Sequence, residues 1–211
     1  MKETETYINE PWLKWAIELQ GLAQSGLAYT QSNYEKERYE RIREISAEML
    51  SYKSEIPVET VKELFCNEKG YQTPKIDTRG VVFQDEKILL VQENDGRWSL
   101  PGGWCDVTES VKSNTEKEVR EEAGLDVVAK GIIAVQERNK HNKPIYAYGI
   151  FKIFVVCDLV GGQFKENIET LSSGYFSLDN LPSLAEEKCS REQVEMCFAA
   201  IKEEKWITRF D

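Results

Sequence analysis

One stretch, Gly103 to Leu125, constrains this chain of 211 residues more than any other. Pro101, Gly102 and Gly103 form a small-residue loop, and an acidic helical segment follows. Within it Glu118, Glu121 and Glu122 stand at i, i+3 and i+4, a spacing that places three carboxylates on one helical face. Like charges this close repel, so a helix tolerates them best with a cation between them. Carboxylate oxygens are hard ligands suited to Mg²⁺ or Mn²⁺. The pattern points to a divalent-metal site, with an exposed acidic helix face as the plain alternative.

The segments around that stretch alternate between strand and helix character. Gly80–Phe83 and Lys87–Gln92 read as strands joined by a turn at Gln84-Asp85-Glu86. A second turn falls at Asn94-Asp95-Gly96. A helix is expected from about Ser110 to Ala123, with Gly124 at its C-terminal cap. Val127 to Gln136 alternates as a strand, and Arg138 to Pro144 is polar and loop-like. Ile145 to Val160 is a long β-rich run turned back at Gly161-Gly162. Gly174–Leu178 is a further strand. Ser190 and Gln193 form a capping box for a last helix through Val194, Cys197, Phe198 and Ile201. The hairpins favour a mixed sheet over an all-parallel one.

The first third is different. Residues from about 11 to 66 read as helical. Pro11 suits a first helical position, and Trp12, Trp15, Ala16, Leu19, Leu22 and Ala23 recur at helical spacing. Ser32 or Asn33 caps a second helix, in which Ile42, Ile45, Met49 and Tyr52 form a seam like that of a coiled coil. Pro57 starts a short third helix with Val58, Val61, Leu64 and Phe65. Residues 67–74 read as a linker. The expected division is a helical domain over 1–70 and an α+β domain over 71–211. A few short helices hold little core of their own, so the helical domain is a candidate dimer interface. Internal packing of the stripes is the alternative.

Composition narrows the function classes. A formal charge of −10 argues against a nucleic-acid polymer as partner. It does not exclude an anionic substrate, because a bound metal inverts the local field. The five cysteines, Cys66, Cys105, Cys157, Cys189 and Cys197, lack Cys-x-x-Cys spacing. They read as free thiols of a reducing cytoplasm. The N-terminus lacks the apolar core of a signal peptide, and no apolar run approaches the ~20 residues that span a bilayer.

The stretch from Gly103 to Leu125 resembles the Nudix box, G-x5-E-x7-R-E-U-x-E-E-x-G-U, where U is bulky and apolar. Gly103, Glu109, Glu118, Val119, Glu121, Glu122, Gly124 and Leu125 occupy its positions. Lys117 stands where the motif has arginine. The helical N-terminal third, Thr78–Val82, Arg97–Trp104, Glu137–Asn142 and Glu169 through Ser177 extend the similarity to the Nudix branch with an N-terminal helical domain.

The resemblance implies an α/β/α sandwich with a mixed sheet, preceded by the small all-helical domain. It implies metal-dependent hydrolysis of a nucleoside diphosphate linked to another group, ADP-ribose (to AMP and ribose 5-phosphate) or CDP-choline. Glu118, Glu121 and Glu122 are the expected metal ligands, joined by the Gly103 carbonyl. Which glutamate is the base stays open. Glu169 is a candidate base or further acidic ligand, Glu166 is its rival, and Glu109 is expected to orient loop and helix. Arg79 is a candidate phosphate contact or else part of an ion pair. Trp98 and Trp104 are candidates to stack on a base or to pack beside the glycine loop. His141 is a candidate of the substrate loop. Lysine at 117 keeps the charge of the motif arginine but loses its planar fork. Two other activities compete: a pyrophosphatase that cleanses nucleoside triphosphates, and a sensor that binds ADP-ribose without cleaving it.

Overall fold

The computed structural model describes residues 11–54, 56–66, 69–164, 167 and 170–211. Its contacts separate two units. One runs through Pro74 and takes in Ile145–Gly149; the other comprises Lys75–Pro144 and Ile150–Asp211.

In the first unit, α1 (Pro11–Tyr29), α2 (Asn33–Ser54) and α3 (Val58–Phe65) follow the expected spans. Ala16, Ala47, Leu50, Val61, Phe65 and Cys66 form their core. Small residues let α1 and α2 approach closely: a Cβ on Gly26 would stand 2.4 Å from the Tyr39 ring. The core also holds a polar pair that hydrophobic spacing did not announce. Gln20 donates to Gln24 and to the Phe65 carbonyl, and accepts from the Cys66 thiol at 3.3 Å. Such groups are buried only when satisfied.

The second unit is built on a mixed seven-stranded sheet. Its strands are β1 (Lys75–Gln84), β2 (Lys87–Glu93), β3 (Trp98–Ser99), β4 (Leu125–Glu137), β5 (Ile150–Gly162), β6 (Thr170–Phe176) and β7 (Arg209–Phe210). The order is β3-β2-β1-β5-β4-β7, with β6 pairing β2. β1 runs parallel to β5, and β4 parallel to β7; the remaining pairs are antiparallel. Asp85 and Glu86 both adopt positive φ in the turn between β1 and β2, which suits the twist of a two-residue hairpin.

Two helices cover the two faces of the sheet. α4 (Val111–Ala123) packs Val119 and Ala123 on Val82, Leu89, Val91 and Val155. α6 (Arg191–Lys202) packs Val194, Cys197 and Phe198 on Val81, Ile88, Leu90 and Phe154. This is the expected α/β/α layering.

Local differences have local causes. β1 begins at Lys75, well before Gly80, because its first residues pair with β5 despite their polar side chains. The polar run after β4 is not a plain loop: Arg138–His141 forms a helical turn, α5, and Arg138, Asn139 and Asn142 are buried. The β-rich run begins only at Ile150. Ile145–Gly149 belongs to the helical unit, where Ala147 packs against its core and Gly149 meets Pro74. All five cysteines are free.

Candidate active site

The glycine loop and α4 are joined by short-range chemistry. Ser110 caps α4 by accepting from the Ser113 N–H, and Ser113 returns the bond to Ser110. Gly124 ends the helix in the left-handed region, where an added Cβ would lie 2.4 Å from the Gln163 carbonyl. The loop is pinned to β1: Thr78 N–H donates to the Gly103 carbonyl at 2.9 Å, Gly80 N–H to Pro101, and Cys105 N–H to Ile76. A Cβ on Gly102 (φ +146°) would sit 1.9 Å from the Thr78 carbonyl, so only glycine fits there.

The three helix carboxylates have different surroundings. Glu122 is buried and its Oε2 accepts from the Gly102 N–H at 2.8 Å. Burial pushes its carboxyl up to about 7, against the opposing pull of Arg79 and the Gly102 N–H. Glu118 is nearly covered, and a Cβ on Gly103 would come within 2.8 Å of its Oε2. Glu121 is half exposed. The Lys117 ammonium stands between them, 3.8 Å from Glu118 and 3.6 Å from Glu121, and makes its short contact, 2.9 Å, with Asp106. The hydrogen bond to Asp106 holds the Lys117 ammonium well above its ordinary range.

The donor set suits a hard divalent cation: three carboxylates on one face, and a glycine whose missing side chain keeps Glu118 clear. Among the described residues no three acidic, thiol or imidazole side chains converge as a finished metal cage. Lys117 satisfies Glu118 and Glu121, and Glu122 turns to the loop. The Gly103 carbonyl keeps one lone pair beyond its bond from Thr78.

Other expected site residues are distributed more widely. Arg79 is 3% exposed. Its guanidinium binds Asp77 through Nε at 2.7 Å and Nη2 at 2.8 Å, and the Leu100 carbonyl through Nη1 at 3.1 Å. Trp104 is half exposed beside the loop and bridges Asp77 through its backbone. Trp98 packs edge-on against Phe176. His141 faces Asp211, Nε2 to Oδ2 at 3.0 Å. Burial and the carboxylates of Asp106 and Glu109 push the Cys105 thiol up, which disfavours a reactive thiolate. Glu166 and Glu169 lie outside the described residues.

Several contributors carried no sequence signal. Asn114 donates to Thr78 Oγ1 at 2.8 Å and accepts from the Asp106 N–H, tying helix, strand and loop together. Asn167 donates to the Glu121 carbonyl at 3.0 Å, at the end of α4. Glu93 accepts from Ser99 at 2.8 Å and pairs with Lys188 at 2.6 Å. Isolated polar residues without periodicity or motif offer nothing to read until their distant partners are known.

A family model described as the NUDIX domain matches residues 74–196. The chain belongs to the Nudix family. A second model, described as a UDP-X-like, N-terminal oligomerisation domain, matches residues 10–65 of this Nudix chain. The chain is 39% identical over 205 residues to YjhB of Bacillus subtilis (strain 168), provisionally named an ADP-ribose pyrophosphatase. That match spans 97% of this chain and 99% of the relative. A crystal structure of an ADP-ribose pyrophosphatase from Streptococcus suis 89-1591 is 55% identical with a TM-score of 0.62. It covers 66% of this chain and all of its own. The crystal structure of UDP-X diphosphatase is 30% identical with a TM-score of 0.62, covering 94% of this chain and 98% of its own. The protein is accordingly a Nudix pyrophosphatase, a hydrolase of phosphoric anhydrides, and the acidic face of α4 with its glycine loop is the Nudix box in place.

Proposed function

We propose that this Nudix enzyme hydrolyses ADP-ribose to AMP and ribose 5-phosphate, using Mg²⁺ or Mn²⁺. The observation that carries the substrate is the pair of relatives named ADP-ribose pyrophosphatases, one of them similar along almost the whole chain. Glu118, Glu121 and Glu122 would hold the metal with the Gly103 carbonyl. When bound, the metal neutralises the pyrophosphate and polarises it toward attack. Water adds to one phosphorus, the bridging P–O bond breaks, and the proton of the water passes to a carboxylate. Glu169 is our candidate for that base, and Lys117 would keep Glu118 and Glu121 oriented. Trp104 and His141 are our candidates on the substrate side; Arg79, the third candidate, is 3% exposed and engaged by Asp77 and the Leu100 carbonyl, which favours its ion-pair alternative.

A uridine diphosphate compound is the second reading, favoured by the similarity to UDP-X diphosphatase over 94% of the chain. No relative described above is named for CDP-choline, which enters as a comparison substrate. The intact glutamate set speaks against a non-catalytic sensor, since binding alone needs no water chemistry. A hydrolysis screen over ADP-ribose, UDP-sugars, CDP-choline and nucleoside triphosphates, with product identification, separates these readings. Turnover of a UDP compound or a triphosphate well above ADP-ribose would overturn the first.

We further propose a homodimer through the N-terminal helices. Trp15, Leu22 and Tyr29 recur every seven residues along α1 and remain 58%, 61% and 69% exposed. A matching family description of oligomerisation supports the same use. A cytoplasmic location is supported by five unbridged cysteines, and no described helix is long and apolar enough to cross a membrane.

A further inference from the structure

The second unit buries a charge cluster that the box does not explain. Register places Asp77 of β1 opposite Lys152 of β5. The Lys152 side chain is 1% exposed and its ammonium lies 3.6 Å from Asp77 Oδ2. Asp77 already receives both Nε and Nη2 of Arg79, whose side chain is 4% exposed. Two buried cations thus share one carboxylate. Burial, then the Arg79 charge, push the Lys152 ammonium down to about 8. Burial would raise the Asp77 carboxyl, but Arg79 and Lys152 together hold it below its usual range.

Such a cluster is a poor way to stabilise a sheet. Desolvating an ammonium is costly, and apolar replacement of buried charges is often neutral or stabilising. Its value lies in direction. The fork of Arg79 on Asp77 leaves Nη1 to hold the Leu100 carbonyl, where the chain enters the glycine loop. The loop's main chain hangs from the same strand through Thr78 and Gly80. At its far side Gly102 N–H meets Glu122. Any pivot of the Arg79 guanidinium therefore shifts the loop against the acidic helix. Asp77 prevents the pivot by binding two nitrogens, one on each oxygen, and the Lys152 ammonium, 3.6 Å from the Oδ2 that Nη2 also binds, adds a second charge that draws the carboxylate to that position.

We propose that Asp77 and Lys152 are positioning residues for hydrolysis, aligning the glycine loop with the glutamates of α4 through the buried guanidinium of Arg79. The inference rests on the pyrophosphatase activity and not on the identity of its substrate. The assay accordingly uses whichever nucleoside-diphosphate compound the wild type turns over. A wild type inactive toward ADP-ribose counts against that substrate alone.

The test compares Lys152→Met, Asp77→Asn, the double variant Asp77→Asn/Lys152→Met, and Asp77→Glu by melting temperature, kcat and KM. Lys152→Met is expected to melt at or above the wild-type temperature while kcat falls ~10–100-fold, as misaligned catalytic groups do, with KM little changed. Asp77→Asn should lower the melting temperature by stranding two buried cations. The double variant, which still leaves Arg79 without its carboxylate, should recover part of the lost melting temperature without recovering kcat. Wild-type kcat in Lys152→Met, or recovery of kcat together with melting in the double variant, would overturn the proposal. If Lys152→Met does not fold, Asp77→Glu decides. It keeps the charge balance and displaces the carboxylate by one methylene, so kcat should fall, and an unchanged kcat rejects the role.

Discussion

The Gly102 N–H donates to Glu122 Oε2 at 2.8 Å, joining a loop residue to a helix residue twenty positions later. It is the point where the glycine loop and the acidic helix become one site. Gly102→Ala should break it, because the new Cβ would overlap the Thr78 carbonyl in a backbone region closed to alanine. The cost is expected to be well over ~1 kcal/mol of stability, together with the activity. Glu122→Gln keeps an oxygen for the Gly102 N–H and removes the charge. It should fold at least as well as wild type and lose activity by about 100-fold or more. Thermal melts and steady-state assays of both variants check this, and an active Glu122→Gln enzyme would refute the ligand role.

Lys117 carries the charge of the motif arginine without its fork, and spends its short contact on Asp106. Lys117→Arg is expected to preserve or raise kcat/KM, because a planar guanidinium engages two partners at once. Lys117→Ala should lower it, with Glu118 and Glu121 left to repel. A loss of activity in Lys117→Arg contradicts this account.

On the metal proposal, the three carboxylates of α4 support turnover only with a cation bound. Removing divalent ions with EDTA should abolish hydrolysis, and adding Mg²⁺ or Mn²⁺ in excess should restore it. Activity that persists through exhaustive chelation would sink the metal proposal. A calorimetric titration with Mg²⁺ alone, repeated on Glu118→Gln, reports the site independently of catalysis.

Lys152 gives stability a distinct pH dependence. Its folded-state pKa of about 8 lies below the ordinary 10.5. Between those values the unfolded chain binds a proton that the folded chain does not, so stability rises with pH across the window. The same contribution is lost as pH falls through about 8. It amounts to ~3 kcal/mol at most. Urea unfolding at pH 7, 8.5 and 10 should show this contribution as the difference in slope between the wild type and Lys152→Met, because the buried thiols of Cys157, Cys189 and Cys197, pushed up by burial, lower stability toward pH 10 equally in both proteins. Equal slopes in the two proteins would show that Lys152 does not titrate in this way.

The exposed row Trp15, Leu22 and Tyr29 should mediate self-association. Light scattering is expected to give a dimer mass for the wild type and a lower mass for the triple serine variant. A monomeric wild type, or a dimer that survives both this change and deletion of residues 1–70, would reject the helical interface.

The box was legible because its information is short-range. Helical periodicity puts Glu118, Glu121 and Glu122 on one side of α4, Gly124 ends the helix through its own backbone freedom, and the Ser190 cap acts over three residues. The reciprocal Ser110–Ser113 cap went unread because serine at the third helical position is a weaker signal than glutamate or glutamine. The sheet was legible as mixed from its hairpins, but Ile145–Gly149 read as strand on β-propensity and joined the helical core instead. There Ala147 found apolar partners, and tertiary burial outweighed the local preference.

Local spacing along the chain was enough for the box, its helix and the layered α+β class, since each depends on residues a few positions apart. Tertiary structure alone decided what supports them. Asp77 and Lys152 meet only because β1 and β5 pair in one register. Asn114, Asn167 and Glu93 gain roles only through distant partners. The reason is burial: folding removes these polar groups from water, and each must then find its partner across the fold.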